Sequence, residues 1–169
     1  MVSRVISIVL LLFVIMSECY AQRPFEQRGI TMLQTQKVFF EQVSGMKAFE
    51  VYVKELVDAV DGAVAKLPKG SPTGGFLVVA VKPGGRSRVW LDVAAPPSDD
   101  VAKAIVSAAQ NVYPLSVKNG VVLFAIKLSL WGGEPPKGMV PRPKEWESEA
   151  DRAGGSIELS ELVLRIWPE

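Results

Sequence analysis

The stretch FLVVAVKPGGRSRVWLDV, Phe76 to Val93, decides the fold. Phe76 to Lys82 and Ser87 to Val93 are runs rich in β-branched and aromatic residues, joined by Pro83, Gly84, Gly85 and Arg86. Such residues suit a pleated, half-buried surface. The paired glycines reach the positive φ that a tight reversal needs, so the stretch predicts a β-hairpin. Alternation in its second half puts Val89, Leu91 and Val93 on one face and Arg88, Trp90 and Asp92 on the other.

Upstream, Met46, Phe49, Val53, Leu56, Val60, Ala63 and Leu67 recur at helical spacing and mark one apolar helix face. Ser44 is a plausible N-cap, Lys66 suits the carbonyl-rich end, and Pro68 stops the helix. Gly70 to Gly75 (GSPTGG) reads as a loop. Lys37 to Val43 (KVFFEQV) fits either a short strand or a first helical turn, and Gln22 to Gln36 reads as a polar leader.

Downstream, Pro96, Pro97 and Ser98 open a second helix, with Asp99 and Asp100 where the helix dipole favours anions. Val101, Ile105, Ala108 and Val112 form its apolar stripe, and Tyr113-Pro114 ends it. Gly120 to Trp131 (GVVLFAIKLSLW) predicts a third strand, with Val122, Phe124, Ile126, Leu128 and Leu130 on one side. Pro135, Pro136, Pro141 and Pro143 then make an extended connector. Pro143 to Ala153 predicts a short charged helix closed by Gly154-Gly155. Ile157 to Trp167 (IELSELVLRIW) reads as a strand from its branched residues, although its alternation changes phase near Glu161 and a helix also fits. The fold class is therefore α+β. A small antiparallel sheet, hairpin plus third strand, carries helices on one face in the order α-β-β-α-β, with a C-terminal appendage.

From Phe49 to Trp131 this layout resembles the C-terminal domain shared by the TonB and TolA envelope proteins. An amphipathic helix leads into FLVVAVKPGGRSRVWLDV, then into the Ala-rich DDVAKAIVSAAQNVYP, then into NGVVLFAIKLSL, a glycine followed by an alternating strand. The resemblance implies periplasmic location and protein binding at a sheet edge. TonB and TolA keep an N-terminal anchor and a long linker, whereas this chain opens on a cleavable-looking signal and adds a tail from Gly132 to Glu169.

That signal has the usual three parts. Arg4 supplies the positive start, Val5 to Met16 is apolar apart from Ser7, and Cys19 and Ala21 place small side chains before an expected cut between Ala21 and Gln22. The apolar run is too short to span a bilayer, which needs ~20 residues, so no stable anchor is expected after cleavage. The expected organisation is a signal over residues 1–21, a leader over 22–44, an α+β core over 45–131, and a connector with appendage over 132–169.

Composition narrows the chemistry. The chain has no histidine, and its single cysteine, Cys19, lies in the signal. The commonest general base, the usual nucleophile pairings and most zinc sites are thereby excluded, and no cofactor or metal is expected. A net charge of +1 lacks the basic balance of a nucleic-acid binder. Absence of any Asn-x-Ser/Thr acceptor fits a bacterial envelope. Carboxylates remain: Asp58 with Asp61, and Asp99 with Asp100, each also explained by a solvated helix face or a helix start.

Arg88, Trp90 and Trp131 are the partner-binding candidates, because aromatic residues with arginine dominate interface energetics. The competing expectation is that the tail folds back and buries the tryptophans. The sequence thus predicts an exported, non-enzymatic binding or scaffolding domain, periplasmic or secreted, that meets a protein partner at a sheet edge. The alternatives are a carboxylate-dependent hydrolase of an envelope polymer and a secreted effector or inhibitor.

Overall fold

Val78 stands opposite Trp90 in the hairpin formed by β2 (Thr73–Lys82) and β3 (Arg86–Val93). The computed structural model describes residues 23–155 and 157–168, so the signal segment and the Ala21/Gln22 cleavage site lie outside the described residues. The third strand, β4 (Val122–Leu130), pairs with the other side of β2, with Leu77 opposite Ile126. Every pairing is antiparallel.

A fourth strand comes from the expected leader. β1 (Phe25–Met32) pairs with β4 and gives the sheet order β1-β4-β2-β3. Its alternation is unreadable because a bulge between Gln27 and Gly29 inserts a residue. That insertion resets the phase, so Phe25 and Met32, the first and last of the strand's 8 residues, face the same side although simple alternation would put them on opposite sides. Arg28, at the bulge, pairs with Glu26 and Glu134. Residues 37–42 settle as helix, while Val43 is extended and bridges to Val117: α1 (Gln36–Gln42) starts at Thr35, whose hydroxyl accepts the Val38 N–H at 3.4 Å. Likewise Thr73 to Gly75, expected in a loop, belong to β2.

α2 (Met46–Val64) and α3 (Asp99–Gln110) are the two expected amphipathic helices. With α1 they cover the face made by Leu77, Val79, Val81, Val89, Phe124, Ile126 and Leu128. The stripe of α3 is Val101, Ile105 and Ala109; Ala109 takes the buried place expected of Ala108. Phe39, Phe49 and Phe124 interlock edge-to-face across this layer, with centroids 4.9 and 5.0 Å apart.

The expected single helical layer holds for the core helices, and the appendage supplies a second. Phe76, Val78, Ala80, Trp90, Leu123 and Ala125 form the opposite sheet face, and Trp146, Leu162 and Val163 cover it. These come from α4 (Lys144–Arg152) and α5 (Leu159–Ile166). The strand expected over Ile157 to Trp167 is corrected to a helix. Leu159, Leu162, Val163 and Ile166 fall at i, i+3, i+4 and i+7 and pack on that face. Glu161 and Arg165 pair at i, i+4 on the outer side, 2.7 Å apart.

The route of the connector depends on glycine. A Cβ on Gly74 would lie 2.4 Å from the Pro135 nitrogen, so only glycine lets the connector cross β2. Among the described residues, no helix is long and apolar enough to cross a membrane.

Candidate functional site: the open edge of β3

β3 borders the sheet, and its alternation decides which backbone groups look outward. Gln110 of α3 reveals the phase. Its carboxamide oxygen accepts the Val89 N–H at 3.1 Å, and its nitrogen donates to the Ser87 carbonyl at 2.6 Å. In an antiparallel ladder, alternate residues point both backbone groups away from the partner strand. Ser87, Val89, Leu91 and Val93 are therefore the outward set, while Ala94 turns inward and donates to the Gly74 carbonyl at 3.0 Å.

Gln110 satisfies the first part of this edge as a neighbouring strand would. Beyond it, the Val89 carbonyl, both backbone groups of Leu91 and the Val93 N–H have no hydrogen-bond partner among the described residues. They border a groove of about 720 Å³. α3 forms one wall through Ala102, Lys103 and Val106; Pro143, Lys144 and Glu145 at the start of α4 form the other. Leu91 and Val93 are half-buried within it.

A side-chain knot fixes the α4 wall. Glu145 Oε2 accepts from Arg88 Nη2 at 2.7 Å and from Trp90 Nε1 at 2.9 Å. The Arg88 guanidinium lies 5.3 Å from the Trp90 ring centroid, and Arg88 Nη1 also donates to the Ile166 carbonyl at 3.3 Å. Trp146 meets Trp90 edge-on, with centroids 5.4 Å apart. Nearby, the Lys82 ammonium donates to the Trp167 carbonyl and lies 4.6 Å from the Trp167 ring centroid, so two cations hold the C-terminal end of α5.

The structure rearranges the sequence-predicted site. Arg88 and Trp90 come together, but Trp90 is only 8% exposed and the tail covers it. Trp131 is 3% exposed and packs in the cluster on the opposite sheet face. The three residues therefore do not form one surface. Trp131 adopts φ of 51°, an uncommon conformation for a residue with a side chain, where β4 turns out of the sheet. Gly70 lies against its ring, where a Cβ would approach within 2.5 Å.

The carboxylate pairs also separate from the groove. Asp58 and Asp61 are exposed on α2, and Asp58 pairs with Lys54. Its hydrogen bond and charge hold the Lys54 ammonium above the usual lysine range. Asp99 and Asp100 occupy the exposed first turn of α3, and none of the four lines the groove. Among the described residues, no group of three or more acidic, histidine or cysteine side chains is placed to hold a metal ion.

Gln110, Lys103 and Lys144 carry no distinctive sequence motif. The readable signals were the hairpin and the prolines flanking the walls; the side of the sheet left open was not written locally. No family model matches the chain, and no curated protein or solved structure matches it either.

Proposed function

We propose that this chain is an exported, non-catalytic binding domain of the bacterial cell envelope that accepts an extended segment of a protein partner as an added strand on β3. The observation that carries this reading is the row of outward backbone groups from Val89 to Val93 on the groove floor, next to the stretch already occupied by Gln110. Added strands gain affinity from main-chain hydrogen bonds and specificity from alternate side chains. The opposite edge is less suited to the same use: β1 carries a bulge and the charged Arg28, devices that discourage pairing.

The sequence supports the setting. The opening segment has signal-peptide character, and the succession α2-β2-β3-α3-β4 carries the TonB/TolA-like layout. Periplasmic location and edge binding belong to this proposal.

Panning a displayed library of extended peptides against the purified protein tests it. Binders with an alternating pattern are expected, and Leu91→Pro abolishes their capture by removing an outward N–H; proline is tolerated where an edge N–H faces solvent. Equal capture by the unaltered protein and a folded Leu91→Pro variant sinks the reading.

A further inference from the structure

The charges around the groove are not equivalent. Asp92 and Glu145 are both engaged: Asp92 Oδ2 accepts the Arg142 N–H at 2.6 Å, and Glu145 is held by Arg88 and Trp90. Lys103 and Lys144 stand on opposite walls, both exposed, and neither has an ion pair among the described residues. Asp99 and Asp100 lie nearer the start of α3 and outside the groove lining. A strand lying along β3 therefore passes between unpaired ammonium groups, while the Glu145 charge is offset by Arg88 and the Asp92 carboxylate is tied to a backbone N–H on the α4 side.

We infer that the groove selects an acidic extended segment, with carboxylate side chains flanking a short apolar centre placed opposite Leu91. This rests on the strand-addition reading and adds the chemistry of the partner. The apolar centre follows from the half-buried Leu91 and Val93, and the carboxylates from Lys103 and Lys144. Gln110 limits the length, because a segment extending past Val89 toward Ser87 meets hydrogen-bonding positions that are already taken. A second copy of this chain is the poorer occupant, since edge-to-edge pairing of two β3 strands gathers the lysines of both copies at one interface.

The test uses synthetic peptides with a common valine/threonine centre, flanked by glutamates, glutamines or lysines, titrated against the purified full chain. The glutamate peptide is expected to bind about five- to tenfold tighter than the glutamine peptide, as two exposed ion pairs allow. The lysine peptide should bind more weakly than either, and added salt should shrink the difference. The double variant Lys103→Glu/Lys144→Glu, both changes on exposed side chains, should reverse the order. Indistinguishable binding of all three peptides, or an acidic preference that survives the double reversal, overturns the inference and leaves strand addition standing. Absence of binding by every peptide overturns both. A dimer in light scattering that Leu91→Pro dissociates assigns the edge to a second copy and overturns the acidic segment.

Discussion

Trp146 stands edge-on to Trp90, with ring centroids 5.4 Å apart and planes at 78°. One ring belongs to the tail and the other to β3, so this contact helps join the appendage to the sheet. Edge-to-face geometry sets the positive rim of one ring against the negative face of the other. The Trp90 indole N–H is meanwhile held by Glu145, the residue directly before Trp146. Tail docking and the shape of the groove wall therefore share one set of residues.

Trp146→Ala should separate them. Truncating a buried aromatic costs about 3–5 kcal/mol, and Trp146 is 2% exposed. Denaturant unfolding should show that loss, and limited proteolysis should cut the connector between Gly132 and Pro143 more readily. Leu164→Ala, at a position 41% exposed, is the control and should change stability by less than about 0.5 kcal/mol.

Gln110→Ala should uncover two more backbone groups of β3, the Ser87 carbonyl and the Val89 N–H. The expected cost is about 1–2 kcal/mol, the usual size for lost hydrogen bonds of this kind. Hydrogen exchange at the Val89 amide should accelerate, while amides in β4 keep their protection. The lengthened edge should also favour self-association, visible as a concentration-dependent rise in mass by light scattering.

Tyr52 provides a pH test. Its hydroxyl is buried beside the Ser87 side chain, outside good hydrogen-bond geometry. Burial pushes its pKa from 10.0 up to about 12; Ser87 opposes the rise and Glu55 adds to it. Because the folded protein holds this proton more tightly than the unfolded chain, the associated stability is complete below pH 10 and is lost as pH rises through about 12. That rise corresponds to about 2–3 kcal/mol. Tyr52→Phe should be close to neutral in stability at pH 7 and should flatten that part of the alkaline decline, measured as the difference between the two proteins from pH 9 to 12.

Gly74→Ala should disturb the connector where it crosses β2, because the new methyl group would lie 2.4 Å from the Pro135 nitrogen. Overpacking of this kind costs about 1–3 kcal/mol. The expected signature is a lower unfolding midpoint with increased amide exchange at Gly133, Glu134 and Lys137, the residues that flank the two prolines.

Local pattern made the α+β class legible: period-two alternation marks Val122 to Leu130, helical spacing marks Met46 to Val64, and Gly84-Gly85 turns the hairpin. It failed at β1, where the bulge reverses the phase, and at Leu159–Ile166, whose branched residues suggest a strand but whose side chains fit a helix on the second sheet face. For the site, Arg88 and Trp90 were correctly placed on one face of their strand, but whether that face was open depended on the tail 55 residues further along, where Glu145 meets Trp90. The sequence by itself determined the principal elements and their apolar faces, because these follow from side-chain spacing along the chain. Strand order, the burial of Trp90 and Trp131, and the unoccupied stretch of β3 were decided only by the tertiary structure, since each arises from residues brought together across long separations.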